Sequence, residues 1–180
     1  YYFGFRHLMM YIDNLYFLLF TGKLPERNSA EMNSWIGSIL DKKGKPYRDS
    51  VKEWFKANTG FAVVDHEVTM KPGGHFDADK DYGDIDVLII DHPNKIIYPV
   101  ECKNSIGARN IHEMKSEMDM YLGREGNEKN AKIAKHVERD KWLKANKQQL
   151  TKFGIQNPDE YEIKSFILTA DEIPLSYLKK

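Results

Sequence analysis

At 180 residues the chain is long enough for one domain with its own core, and 41% hydrophobic with 30% charged residues is the balance of a soluble globular protein. Its 27 basic and 27 acidic side chains cancel, which excludes a pull of the whole molecule on nucleic acid, so any such attraction must be local. One cysteine, Cys102, excludes an intrachain disulfide and fits a reducing, cytoplasmic setting.

The first twenty residues are rich in aromatic and aliphatic side chains, but Arg6, His7, Asp13 and Asn14 interrupt them. The uncharged stretch is too short for a span, and the segment lacks the layout of a signal peptide. Residues 5 to 20 read instead as a buried or partner-facing helix, ended by Gly22 and Pro25. The absence of an initiator Met points to a piece of a longer protein or a processed one, with self-association through this segment as a further expectation. Ser29 is placed to N-cap a second helix over about 30 to 41, which Gly44 and Pro46 should break. A third is expected from 47 to 58, where Tyr47, Val51, Trp54 and Phe55 recur at helical spacing.

Residues 61 to 70 favour a strand, and 71 to 83 form a loop rich in Gly and Asp. Two apolar strands follow, 85 to 90 and 96 to 102, joined by the turn-forming Asp91-His92-Pro93-Asn94-Lys95. Pro99 requires a bulge in the second strand, or a place where its missing N–H faces no neighbour. Helices over about 106 to 122 and 128 to 151 come next, then a last strand from 161 to 169. The order predicts an α/β or α+β fold: a mixed central sheet of about four strands flanked by helices over 46–180, with an N-terminal helical extension over 1–45.

Chemistry concentrates on the hairpin. Side chains alternate along a strand, so Asp84 and Asp86 share a face, as do Glu101 and Lys103. Pairing symmetrically about Pro93–Asn94 sets Asp86 opposite Glu101 and Asp84 opposite Lys103, with Cβ atoms about 4.5–5.5 Å apart. Two opposed carboxylates repel unless a cation lies between them. Mg²⁺ (or Mn²⁺) commonly takes one or two carboxylates plus substrate phosphate, and Lys103 is beside them to orient or activate an attacking water. Asp84 and Lys103 are expected to form a cross-strand ion pair.

This Asp followed 15 residues later by Glu101-Cys102-Lys103 resembles the pattern of the PD-(D/E)xK nuclease superfamily, the restriction-endonuclease-like fold. The resemblance implies that Asp86 and Glu101 bind metal and that Lys103 supports the nucleophile; nucleic acid is the expected substrate, DNA ahead of RNA. It covers about residues 47 to 169. Many members of that superfamily add an acidic residue from the helix before the first strand, for which Asp49 and Glu53 are outer-shell candidates, Glu53 favoured, with Asp84 a further outer-shell candidate. The rival reading is a non-catalytic nucleic-acid-binding or protein-interaction module that keeps the fold.

Other features are weighed against plainer readings. The loop from His75 to Gly83 fails as an EF-hand, because Tyr82 and Leu88 stand where Gly and Glu are needed. It reads as a solvated acidic loop, with His75 exposed or touching substrate. Lys132, Lys135, His136 and Arg139 recur at helical spacing and are expected to line a phosphate-binding face, with Arg109 and Lys115 weaker candidates. Cys102 points away from Glu101 and Lys103 and reads as core.

Overall fold

The computed structural model describes residues 4–20, 29–124, 126 and 128–177. The chain divides into two compact units, Tyr1–Pro46 and Tyr47–Lys180. The first contains α1 (Phe5–Phe20) and the start of α2 (Ala30–Asn58). The expected stop signals Gly22 and Pro25 lie outside the described residues. Ser29 does cap α2, its Oγ accepting from the Met32 N–H at 3.3 Å. Gly44 and Pro46 do not break the helix as expected, since α2 runs through both. Proline removes one helical hydrogen bond and kinks rather than abolishes a helix whose flanks are otherwise satisfied. No described helix is long and apolar enough to cross a membrane.

The second unit is an α+β domain. Its main sheet runs β1 (Ala62–Val63), β5 (Val87–Asp91), β6 (Ile96–Lys103), and then an edge shared by β7 (Glu162–Ile163) and β8 (Phe166–Thr169). β1, β5 and β6 are antiparallel, while β7 and β8 both run parallel to β6. A smaller sheet holds β2 (Val68–Lys71) between β3 (Phe76–Asp77) and β4 (Gly83–Ile85). The expected strand over 61 to 70 is thus two strands in different sheets, parted at Asp65–His66. The expected 161 to 169 strand is likewise divided.

The hairpin register is the symmetrical one, Val87 opposite Val100 through Asp91 opposite Ile96. Asp91 fixes the turn, its carboxylate accepting from the Asn94 backbone N–H at 3.1 Å and side-chain amide at 2.8 Å. Pro99 leaves that register unshifted. On its other side it falls where pairing passes from β7, at Ile96 and Ile97, to β8, at Val100 to Lys103. The missing N–H therefore sits at a break in the neighbouring edge.

Alternation along β5 gives the sheet two buried faces, which is why Val87 to Ile90 is an unbroken apolar run. Val87, Ile89 and Val100 pack with Tyr98, Cys102 and the α2 residues Tyr47, Val51 and Phe55. Leu88, Ile90 and Ile97 face the other way, with Leu143, Leu150 and Ile155, and with Val68, Met70, Phe76 and Ile85 of the small sheet. The helices after the hairpin are shorter than their sequence signals. α3 (Ile111–Leu122) starts five residues late because Asn110 caps it, accepting from the His112 and Glu113 N–H groups. The expected 128 to 151 helix is α4 (Lys132–Ala145) between 3₁₀ turns Glu128–Asn130 and Lys147–Phe153.

Candidate functional site

β6 presents Glu101 and Lys103 on the face that α4 covers, because both are in phase with Ile97 and out of phase with Cys102. Cys102 lies in the opposite core, as expected, and burial pushes its thiol up to about 12. Asp86 occupies the single residue between β4 and β5, at the bend where the chain leaves the small sheet for the large one. One step beyond the Val87–Val100 pair, it reaches across the hairpin, and its Oδ2 accepts from the Cys102 backbone N–H at 2.7 Å.

The two carboxylates are in opposite electrostatic states. Glu101 is 14% exposed, with Lys103 ion-paired at Oε1 and Arg139 at Oε2, the latter at 2.5 Å. Burial works to raise its pKa, but Lys103 and Arg139 outweigh it and hold the carboxyl below the usual range. Asp86 has no ion pair among the described residues. Burial pushes it up to about 6, with Glu101 and Glu67 adding to the rise, while the Cys102 N–H and Lys103 act against it.

A half-buried carboxylate short of positive charge, beside a second carboxylate, is a donor set that suits a hard divalent cation. Among the described residues no three His, Cys, Asp or Glu side chains gather into a metal cluster. Two carboxylates are nonetheless a number Mg²⁺ uses when waters and substrate phosphate complete its shell.

Arg139 departs from the sequence expectation. Its side chain is 12% exposed, and besides Glu101 it donates to the carbonyls of Tyr82 at 3.1 Å and Asp84 at 2.5 Å. It is therefore not part of an outward phosphate face. Gly83 makes room for it: φ there is +84°, and a Cβ would stand 3.2 Å from the guanidinium. Lys132 and His136 lie on the same inward side of α4, leaving Lys135 exposed. The Lys132 ammonium stands over the Tyr121 ring at 5.2 Å, and burial first, then the positive charge of Lys103, lowers it to about 8. His136 lines a small cleft with Pro99, Glu101, Arg139, Asp140 and Ser165, and burial and Arg139 lower its pKa.

Other expectations are corrected. Asp84 does not pair with Lys103: β4 bends away at Asp86, so Asp84 lies exposed opposite Thr69 of β2. Asp49 and Glu53 are exposed on α2, which packs on the other face of the sheet, and they pair with Arg48 and Lys52 and with Lys56 respectively. Arg109 is held by Glu113 at the start of α3, at 2.7 Å. His75 is exposed, as expected, and is tied to Thr69 of the small sheet, 3.1 Å from its backbone N and 2.9 Å from its Oγ1. The acids of the loop serve its turns: Asp77 accepts from the Gly73 N–H and Asp81 from the Gly83 N–H, each at 2.8 Å.

The family described as anti-phage protein Upx-like matches residues 19–180. The chain belongs to the Upx-like family. It thereby takes its place among phage-defence proteins, and every residue of the site lies within the matched span. No curated protein and no solved structure matches the chain.

Sequence reading missed three residues of this Upx-like site. Glu117 and Tyr121 are one turn apart and both buried on α3. Burial, then the charges of Glu117 and Glu101, pushes the Tyr121 hydroxyl up to about 12. Their i, i+4 spacing was the available signal. Glu67, just before β2, acts on Asp86 and pairs with Arg48 at 3.0 Å. Nothing local in the sequence marks it.

Proposed function

We propose that this Upx-like protein is a metal-dependent nuclease that hydrolyses phosphodiester bonds, with DNA as its substrate, and that it belongs to the PD-(D/E)xK superfamily. The observation that carries the reading is Asp86: a half-buried carboxylate with no ion pair among the described residues, aimed at the strand that bears Glu101 and Lys103. Antiparallel neighbours β5 and β6 followed by a parallel β8 agree with the resemblance drawn from the sequence, and an anti-phage family gives DNA cleavage an evident use.

Asp86 and Glu101 would hold the metal, Mg²⁺ or Mn²⁺. Such an ion supplies charge stabilisation at the phosphate and acidifies water. Asp86 brings a carboxylate whose affinity for positive charge is heightened by burial. Glu101 is kept ionised by Lys103 and Arg139. Lys103, 30% exposed at the edge of the site, would orient the attacking water through its ammonium group. Lys132 adds positive charge on the side of the site nearer α3 and suits an incoming phosphate.

Plasmid or duplex oligonucleotide, incubated with the protein and Mg²⁺, is expected to be cut, with EDTA, D86A and K103A each lowering the rate at least about 100-fold. Equal cutting by the variants would refute the assignment. One observation favours a second reading: both Glu101 oxygens already carry cations, as in a purely structural ion-pair network. That non-catalytic module would bind DNA in a salt-dependent way and show no metal-stimulated turnover.

A further inference from the structure

Asp86 stands outside both strand ladders, since β4 ends at Ile85 and β5 begins at Val87. Pairing alone therefore does not fix its carboxylate relative to Glu101. One fastening is the Cys102 N–H. The other comes from α4. Arg139 spans from the Tyr82 and Asp84 carbonyls, on the chain leading into Asp86, to Oε2 of Glu101 on β6.

A guanidinium offers five donors in a rigid plane, so a single side chain can tie three acceptors at fixed angles, which an ammonium on a flexible stem does not do. The site confirms how close the fit is, because the glycine between the two carbonyls has no space for a Cβ without pushing on Arg139. Arg139 is in turn held in place by the helix around it, with Leu143 one turn on fully buried in the core.

We propose that Arg139 is a positioning residue: it bridges the two halves of the site and sets the Asp86–Glu101 separation, instead of contacting the nucleic-acid backbone. This rests on the reading of Asp86 and Glu101 as metal ligands. Once the ligands are fixed in advance, the cation meets them without reorganisation, and both affinity and turnover depend on Arg139 while substrate affinity does not.

The test compares parent, R139K and R139Q as full chains, by calorimetric titration with Mn²⁺ alone, by thermal unfolding, and by kcat and KM on a duplex oligonucleotide. R139K keeps the charge and loses the fork. It is expected to fold, to bind Mn²⁺ about tenfold more weakly, and to lose kcat by a similar factor with KM unchanged. Unaltered Mn²⁺ affinity in R139K would overturn the proposal. So would a raised KM with kcat and Mn²⁺ affinity intact, the pattern of a phosphate contact. Tighter Mn²⁺ binding in R139Q would show that Arg139 competes with the cation, and would overturn it too. Should R139K alone not fold, weaker binding in R139Q supports the proposal; failure of both to fold makes Arg139 a structural strut and ends it. A parent chain that takes up no Mn²⁺ overturns the metal reading and this proposal together, whereas uptake that R139K leaves unchanged overturns this proposal only.

Discussion

Residue by residue, the site is organised by where charge is satisfied and where it is not. Asp86 is raised from 3.8 to about 6 chiefly by burial, so its ionised form is disfavoured in the metal-free folded chain. The folded state then holds a proton that the unfolded state gives up between pH 4 and 6. Asp86 thus costs stability progressively as pH rises through that window, by roughly 3 kcal/mol at the upper limit of a shift of this size. D86N, isosteric and still able to accept from Cys102, is expected to stabilise the metal-free protein by about 1–3 kcal/mol at pH 8. The gain should vanish near pH 4. Urea unfolding at the two pH values measures it, and a D86N that is less stable at pH 8 would count against the cation-poor site. Asp86, Glu101 and Lys103 were legible as a group from the strand period and the turn. Arg139 was legible only as a basic residue on a helix, because its partners lie 38 and more positions away in sequence.

At the level of elements, the β5–β6 hairpin was legible down to its register, since an apolar run, a turn and a second apolar run leave few alternatives. What lay beyond was the division of apparently single strands. Ile85 of β4 and Val87–Ile90 of β5 read as one run, yet the two strands join different sheets, and that choice is made by long-range pairing with β2 and β6. The misplaced Asp84 follows from the same cause. α4 closes the site, so its packing and its chemistry are coupled. L143A removes a fully buried side chain from the core and is expected to cost about 2–5 kcal/mol in unfolding. G83A places a Cβ against Arg139 in a backbone conformation that favours glycine, and is expected to cost about 1–2 kcal/mol and to weaken Mn²⁺ binding. Full Mn²⁺ affinity in G83A would separate Gly83 from the site.

For the molecule as a whole, zero net charge leaves the proposed DNA binding to a few local cations. Of the basic residues at the site, Arg139 is committed to Glu101, which leaves Lys132 and Lys135 as contacts, with Lys103 shared between Glu101 and the substrate. In D86N, binding of duplex DNA should fall with salt at a log–log slope of about −3, as read by fluorescence anisotropy. A slope near −8 would require a basic surface elsewhere. Membership of an anti-phage family adds a cellular expectation: D86A and K103A should abolish protection in plaque assays at unchanged protein level. The neutral total points to no substrate class, and the proposed nucleic-acid substrate rests on the local arrangement of acid and base in the hairpin.

The central claim is that Asp86 and Glu101 share a divalent cation. Anomalous scattering from crystals of the full chain grown with Mn²⁺ tests it most directly. A peak is predicted between the two carboxylates, within reach of Asp86 and of Glu101, and absent in D86A. Absence of a peak there in the parent protein, or a peak confined to the acidic turns between His75 and Asp84, would contradict it.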